Sequence, residues 1–444
     1  MAMLCGVLVA SSCKKSFWTD YNVNPNALET VTPDLLLPTV EAALAYTQGG
    51  DESRYTALLT QQMFGANSQS QTYYQYGLNP GTFDNLWPDL YTSTMENDYT
   101  LIQLADKGGY NRYAGIARII MAYDLQVAVD LWGDLPYSQA FKGNSDKPVL
   151  HPTYDKAQGL YDTIASLVNV GTALLQSADP GSLVPGTQDV IYHGDVDKWI
   201  KFGHAIKARL ALHQSKGNAQ MAATALTEIA QSFSSNADNT QYIYGSTETS
   251  ANAWYQFYRD RPGDENWVQS TLAGVMAAAN DPRYGALDMD STDASGGAAG
   301  YYNKINSPTE FITYDELLFA SAEATLRNGG TLIAAQGFYQ AAITASMKKL
   351  GVAQVDIDAY LAVHGTLPVG TDAAIAQIAS EEYVALFLNP EAWVLWRRTG
   401  TPALTSVTGN PIPRRLLYPQ TELNFNAENV PAVTLYSPTI FWDK

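Results

Sequence analysis

The chain is poor in cysteine and in basic residues. Its 444 residues include only Cys5 and Cys13, so its stability must come from a buried core, for which 46% hydrophobic residues are sufficient. The 26 Lys and Arg are outnumbered by 44 Asp and Glu, which gives a net charge of −18. Because phosphate neutralisation needs a basic face, nucleic acid is not an expected partner.

Catalytic motifs are also missing. There is no HExxH, no GxSxG, no Walker loop and no GxGxxG after a predicted strand. The five histidines lack metal-ligand spacing, and His204 and His213 would project from opposite sides of a helix. The paired Glu381-Glu382 point in different directions on a helix, and Asp264-Glu265 lies in a loop. We therefore expect no enzymatic activity and no cofactor.

No apolar run is long enough to span a bilayer, which takes about 20 residues. The N-terminal run from Met3 to Ala10 leads into Ser11-Ser12-Cys13 and then Lys14-Lys15. Small residues before a cysteine, after a short apolar stretch, are typical of an export signal with a lipidated cysteine. The pattern predicts a signal peptide at 1–12, which would remove Cys5, lipid on Cys13, a tether at 13–30 and membrane attachment through the lipid alone.

Apolar residues at three- and four-residue spacing predict an all-α fold. The predicted helices span 84–105, 110–129, 154–175, 196–214, 221–233, 312–327, 332–350 and 372–388. Alanine-rich faces in 312–350 resemble a tetratricopeptide unit without a strict repeat. We expect one domain, 31–444, with a helical scaffold at about 31–233 and 308–398, a loop-rich insert at about 236–307, and a Pro-rich end that wraps the surface.

Aromatic residues are abundant, with 9 Trp, 28 Tyr and 13 Phe. Two clusters lie in segments with many polar residues, and their members are Tyr73, Tyr74, Tyr76, Trp254, Tyr255, Tyr258, Arg259 and Trp267. Sugar rings stack on aromatic faces while neighbouring polar groups bind their hydroxyls, so the clusters predict a glycan site. The alternative is that these side chains anchor long loops to the helical body.

An acidic loop offers a weaker candidate site. Asp288, Asp290 and Asp293 lie beside Gly296-Gly297, and hard cations such as calcium take several oxygen ligands from flexible loops. The loop lacks the spacing and the glutamate of an EF-hand, so a solvated acidic loop is the alternative.

Four segments together resemble the SusD/RagB family of outer-membrane nutrient-binding lipoproteins, in particular its second SusD-like subgroup. They are DLWGDLPYSQA (130–140), DKWIKFGHAIKARL (197–210), TYDELLFASAEA (313–324) and PRRLLYP (413–419). The resemblance implies tetratricopeptide-like helix pairs in a right-handed superhelix, with long irregular loops that form a ligand-binding face. It also implies packing roles for Trp132, Trp199 and Tyr314.

The resemblance further implies a lipoprotein on the outer surface of the outer membrane. Such a protein would capture oligosaccharides and pass them to a SusC-like TonB-dependent transporter without catalysis. Three alternatives stay open: a peptide-binding receptor, a glycan-acting enzyme that uses Asp260, Asp264 or Glu265, and an interaction protein that binds the transporter alone.

Overall fold

Helices make up most of the structure, a computed structural model that describes residues 31–143, 145–178, 183–289 and 300–443. Contacts divide the chain after Thr32, and the following concerns the unit that begins at Pro33. Its first helices are α1 (Pro33–Thr47), α2 (Ser53–Leu59), α3 (Ser68–Tyr74), α4 (Glu96–Gly108), α5 (Asn111–Trp132), α6 (Ala157–Gln176), α7 (Val196–His213) and α8 (Ala219–Ile229). The later ones are α9 (Ala253–Asp260), α10 (Thr271–Ala278), α11 (Arg283–Ala286), α12 (Tyr314–Arg327), α13 (Leu332–Lys349), α14 (Gln354–His364), α15 (Thr371–Ala385), α16 (Glu391–Thr399) and α17 (Gln420–Phe425).

The all-α prediction is confirmed, and the predicted helices agree with the structure except in one region. The region 84–105, predicted as one helix, becomes regular only at α4. Before α4 the chain forms helical turns at Pro80–Phe83 and Leu86–Pro88 and a π-helical segment at Asp89–Met95. The chain nevertheless stays helical from Leu86 to Gly108, and Pro88 lies in the first turn of this stretch, where the missing N–H would have no helical partner.

Neighbouring helices form antiparallel pairs, as predicted for a tetratricopeptide-like scaffold. The most extensive contacts join α5 to α6, α12 to α13, α7 to α8 and α4 to α5. Gly115 of α5 and Gly171 of α6 allow the closest approach, since a Cβ added at Gly115 would lie 2.8 Å from the Gly171 carbonyl oxygen. The two backbones therefore touch where neither residue carries a side chain.

A chain of buried ion pairs connects four helices of the scaffold. Arg209 of α7 donates from Nε and Nη2 to the two carboxylate oxygens of Glu316 on α12, at 2.6 and 2.8 Å. Glu391 of α16 lies 3.5 Å from Arg209 and 2.8 Å from Nε2 of His213. On its other side, Nδ1 of His213 lies 3.5 Å from Asp130 of α5. All five side chains are buried, so each charge depends on its neighbours for compensation.

The C-terminal segment packs more deeply than surface wrapping implies. After Gly400 its regular structure is limited to α17, yet the Leu416 N–H donates to the Leu131 carbonyl at 2.8 Å. Trp132 donates from its indole nitrogen to the Leu417 carbonyl at 2.9 Å. Trp132 and Trp199 are completely buried, which agrees with the packing roles expected of them.

The insert contains short regular elements that the sequence pattern did not predict. Strand β1 (Phe64–Gly65) pairs with β3 (Glu265–Asn266), and β2 (Thr240–Ile243) pairs with β4 (Pro308–Ile312), both antiparallel. Two-residue strands carry too little alternation to be visible in a sequence. Among the described helices, none is both long and apolar enough to cross a membrane.

The helix contact at Gly115 predicts a stability effect. In Gly115→Ala, the added methyl group would lie 2.7 Å from Leu175 Cγ. The cost of this overpacking, about 1 to 3 kcal/mol, should exceed the gain of about 1 kcal/mol from the higher helix propensity of alanine. We expect a net loss of about 1 kcal/mol in the free energy of unfolding, measured by urea denaturation. Gly337→Ala in α13 is the control, because its Cβ meets nothing within 4 Å and should stabilise slightly. Equal effects at both glycines would contradict the close approach.

His213 predicts a pH dependence. Burial lowers the pKa of His213, but the attraction of Glu391 and Asp130 outweighs it and raises the pKa to about 9. The proton is therefore held more tightly in the folded state, so this stabilisation is complete below the unfolded pKa of about 6.5 and is lost as the pH rises to about 9. The difference corresponds to about 3 kcal/mol.

The measurement is urea denaturation at several pH values between 6 and 9. Buried carboxylic acids such as Glu52, whose pKa burial raises to about 8, also make stability fall with rising pH, so the His213 contribution is a difference between proteins. His213→Gln should be less stable at pH 6 and should lose less stability by pH 9 than the parent. Parallel pH profiles for the two proteins would show that His213 does not titrate in this range.

Candidate functional site

The β1–β3 pair brings the two predicted aromatic segments together. Gly65 lies opposite Glu265, and the Ala66 N–H donates to the Asp264 carbonyl at 2.8 Å. The Asn67 side chain donates to the Gly263 carbonyl, also at 2.8 Å. Gly65 is required here, since a Cβ would lie 2.1 Å from the Ser70 carbonyl oxygen. Helix α3, with Tyr73 and Tyr74, therefore lies beside the loop that follows α9.

Half of the predicted contact residues belong to the core. They are Tyr76, Trp254, Tyr258 and Trp267, each no more than 6% exposed. The rings of Trp254 and Tyr258 stack at 5.6 Å, and the Trp254 indole N–H donates to Ser53 Oγ. A ligand cannot stack on a ring whose faces are covered by protein. In this structure the four side chains anchor loops to the helical body, as the alternative interpretation has it, and ligand binding by them stays a prediction.

The other four predicted residues are accessible but do not form one platform. Tyr73 lines a cleft between α2, α3 and the insert. Tyr74 is half-buried against the ring of Phe64, with centroids 5.1 Å apart. Tyr255 and Arg259 lie outside the cleft lining, where Arg259 pairs with Asp260 at 2.8 Å.

This cleft, which we name the arginine cleft, has a volume of about 510 Å³ and a mostly polar lining. Its lining residues are Asp51, Arg54, Tyr55, Gln69, Thr72, Tyr73, Gly77, Asn79, Gly81, Thr82, Asn85 and Arg261. They come from α2, α3, the turns before α4 and the insert, so the cleft exists only when these segments are assembled.

Arg54 is held on three sides. Its Nη1 donates to Asp51 at 2.8 Å, its Nε donates to Glu265 at 3.4 Å, and its guanidinium lies 4.0 Å from the ring centroid of Phe257. Among the described residues, its Nη2 has no hydrogen-bond partner. This leaves a fixed donor for a ligand in the cleft.

Glu265 connects Arg54 to the insert. It is completely buried, and Ser70 Oγ of α3 donates to its Oε1 at 2.6 Å. Burial raises the pKa of Glu265, while the nearby Arg54 lowers it. Glu265 therefore holds Arg54 on the side away from the cleft and does not itself line the cleft.

Tyr73 and Arg261 form the two accessible sides of the cleft. Tyr73 packs edge-to-face on Tyr55 at 5.3 Å, and the Tyr55 hydroxyl donates to the Thr82 carbonyl at 3.0 Å. Burial raises the pKa of Tyr73, so its hydroxyl stays protonated and can donate. Arg261 donates to Gln69 Oε1 at 3.1 Å while it remains exposed.

The chemistry of the cleft suits a neutral polyhydroxylated ligand. It offers one carboxylate, two guanidinium groups, side-chain amides and one aromatic edge within a single concave surface. Its volume lies in the range of small-molecule sites, but its lining is more polar than that of most of them. Hydroxyl groups can donate to Asp51 and accept from Arg54 and Arg261.

The carboxylates considered for acid–base catalysis do not line the cleft. Asp260 pairs with Arg259, Asp264 accepts from Ser68 Oγ at 3.0 Å, and Glu265 is buried behind Arg54. A glycosidase needs two carboxyl groups about 5 to 10 Å apart across its substrate. Among the cleft-lining residues, Asp51 is the one carboxylate.

Two sets of residues deserve comparison with metal sites. Of the calcium candidates, Asp288 is half-buried and its carbonyl accepts from Trp267 at 2.6 Å, whereas Asp290 and Asp293 lie outside the described residues. Asp130, His213 and Glu391 have ligand atoms within 4.8 Å of one another. In this structure His213 lies between the two carboxylates, with Nε2 2.8 Å from Glu391 and Nδ1 3.5 Å from Asp130.

Sequence reasoning missed Arg54, Asp51 and Arg261. Arg54 follows Asp51 and Glu52, and Arg261 follows the aromatic cluster directly, so charged residues beside aromatic ones were the available signal. Gln69 lies in the Ser/Gln/Asn stretch that precedes Tyr73. Their convergence depends on the β1–β3 pairing, which the pattern does not reveal.

Solved structures with the same fold are numerous. A SusD/RagB family protein from Bacteroides thetaiotaomicron superposes with a TM-score of 0.74 at 23% identity, covering 93% of this chain and 99% of that one. A chitin-binding protein superposes with a TM-score of 0.76 at 24% identity, covering 93% of this chain and 100% of that one. A SusD-like protein from Bacteroidetes AC2a superposes with a TM-score of 0.79 at 20% identity and with the same coverage. No curated protein matches significantly.

These structural matches show a shared fold and leave the ligand undetermined. The family model SusD-like_2, described as "Starch-binding associating with outer membrane", matches residues 25–419, which is most of the chain. The matched range includes all four segments that carried the resemblance. The chain therefore belongs to the SusD-like family, whose members are described as starch-binding and associated with the outer membrane.

Proposed function

We propose that this protein captures oligosaccharides in the arginine cleft and does not chemically alter them. The observation that carries the proposal is the convergence of Tyr73, Arg54, Asp51 and Arg261 on one cleft of about 510 Å³. The starch-binding description of the family and the chitin-binding structural neighbour support a carbohydrate as the ligand class.

The capture role agrees with the way the cleft is built. Arg54 is preorganised by Asp51, Glu265 and Phe257, so a ligand need not order it. Tyr73 and Arg261 are only partly covered by protein and are open to exchange with water. Such a site gives selective but modest affinity, which suits release to a transporter.

We further propose a lipid anchor at Cys13, exposure on the outside of the cell and delivery to a SusC-like TonB-dependent transporter. The family description supports association with the outer membrane. The sequence pattern around Cys13 supports the anchor, although residues 1–30 lie outside the described part of the structure. The domain bounds 1–12, 13–30 and 31–444 remain predictions.

The capture proposal predicts the effect of two substitutions in the cleft. Tyr73→Ala removes the aromatic side and Arg261→Ala removes an exposed donor, so each should weaken oligosaccharide binding roughly three- to tenfold. The measurement is titration calorimetry of the full chain against maltoheptaose, N-acetylchitohexaose, xylohexaose and unrelated hexapeptides.

Tyr255→Ala is the matched control, because it removes a half-buried tyrosine of the predicted cluster that does not line the cleft. It should bind like the parent, and thermal unfolding should show that all three variants fold. Binding of the peptides alone would favour a peptide receptor. Release of shorter sugars during the titration would instead favour an enzyme.

The anchor proposal predicts a change in location. In a Gram-negative host, the parent should sediment with the outer membrane and Cys13→Ala should not, because each buried CH₂ of a lipid contributes about 0.8 kcal/mol to membrane binding. Cys5→Ala is the matched control and should leave the location unchanged. Protease added to whole cells should cleave an outward-facing protein. Retention of Cys13→Ala in the membrane fraction would refute the anchor.

A further inference from the structure

A second groove borders the arginine cleft. Its volume is about 550 Å³, within the range of small-molecule sites. Asp84 lines this groove and the next residue, Asn85, lines the arginine cleft, so the two sites meet at consecutive residues of the chain. We name it the acidic groove, and the residues that matter for its chemistry are Asp84, Tyr91, Glu96, Phe141, Glu422 and Phe425.

Aromatic rings provide the apolar surface of the acidic groove. The ring of Tyr91 lies 4.7 Å from Trp87 and 6.3 Å from Phe141, and the Tyr91 hydroxyl donates to the Pro136 carbonyl at 2.9 Å. Phe425 ends α17 with 74% of its surface exposed. An exposed phenylalanine at the edge of a groove gains nothing from packing and is available to a ligand.

The charge of this groove has one sign. Among the residues that the structure describes, its lining contains Asp84, Glu96 and Glu422 and no Lys or Arg, in contrast to the two arginines of the neighbouring cleft. Asp84 accepts from the Thr421 N–H at 2.9 Å, and Glu422 accepts from the Tyr154 hydroxyl at 2.7 Å. These donors are neutral, so they orient the carboxylates without compensating their charge.

An organic cation complements this combination. Carboxylates attract it by Coulomb forces, and aromatic faces attract it through their quadrupole, with about 0.5 to 2 kcal/mol for each cation–π contact. A bare metal ion would not use the rings, and a neutral sugar could donate hydroxyl groups to the carboxylates but would leave their three charges uncompensated. The occupant therefore combines apolar surface with a protonated amine.

We propose that the acidic groove is a second ligand subsite that binds the protonated amino group of an aminosugar unit. The inference rests on the proposed function for its ligand class, since an oligosaccharide in the arginine cleft can continue into the groove past Asp84 and Asn85. The two sites then divide recognition, with hydroxyl groups bound in the cleft and an ammonium group in the groove.

The test compares oligosaccharides with the same linkage whose amino groups are either free and protonated or acetylated and neutral. Titration calorimetry of the full chain at about pH 6 would use the β-1,4-linked tetramer of glucosamine and its fully N-acetylated counterpart, with tetralysine as a basic peptide. We expect the amino tetramer to bind about tenfold more tightly than the acetylated one at about 0.02 M salt. The preference should shrink at about 0.5 M salt, where charges are screened.

Substitutions in the acidic groove test whether its residues cause the preference for the amino tetramer. Glu96→Gln and Phe425→Ala should each reduce the ratio of the two dissociation constants about three- to tenfold. Their matched controls are Glu428→Gln, an exposed charge outside the groove, and Leu423→Ala on α17, and both should keep the ratio. Tyr73→Ala should weaken both ligands while it preserves the ratio, which separates failure of the cleft from failure of the groove.

Three results would overturn the proposal. Equal affinity for the amino and acetylated tetramers would show that the groove does not distinguish a protonated amine from a neutral amide. A preference that survives Glu96→Gln and Phe425→Ala would place the amine elsewhere. Tighter binding of tetralysine than of the amino tetramer, lost in the same two variants, would make a basic peptide the occupant.

Discussion

The candidate site depends on one buried carboxyl group, Glu265. It lies on β3, where it accepts from Ser70 of α3 and faces Arg54 of α2, so it joins the insert to two helices that are almost 200 residues earlier in the chain. Desolvation makes an isolated carboxyl here costly, and its two partners compensate that cost. Because the same interaction fixes the orientation of Arg54, assembly of the insert and preorganisation of the cleft are one event.

In the scaffold, too, buried charged groups join segments that are distant in the sequence. The four segments that resemble the family meet in the core, where Asp130, Arg209 and Glu316 belong to one chain of ion pairs and Arg415 donates to the Trp132 carbonyl. These residues hold helices together and do not contact the clefts. Membership of the family therefore transfers the fold, while the residues that line the arginine cleft lie outside these four segments.

Helical periodicity was sufficient to predict α5, α6, α7, α12 and α13, because each buries a continuous face along many turns. It did not reveal the π-helical segment at Asp89–Met95, which precedes α4 without a break in the helix. The site was only partly predictable. Trp254 and Tyr258 are four residues apart on α9, a spacing that already indicated a shared buried face, whereas Arg54 and Arg261 converge only through a two-residue strand pair. Composition identified segments that meet at the arginine cleft, but half of the side chains it singled out are buried in the core.

The most direct test of this account is a crystal structure of the full chain with the neutral oligosaccharide that binds it most tightly. The account predicts a sugar ring in the arginine cleft, in van der Waals contact with Tyr73 and with hydroxyl groups hydrogen-bonded to Arg54, Asp51 or Arg261. A sugar bound at a surface that involves none of these residues, with the cleft filled only by water, would contradict it.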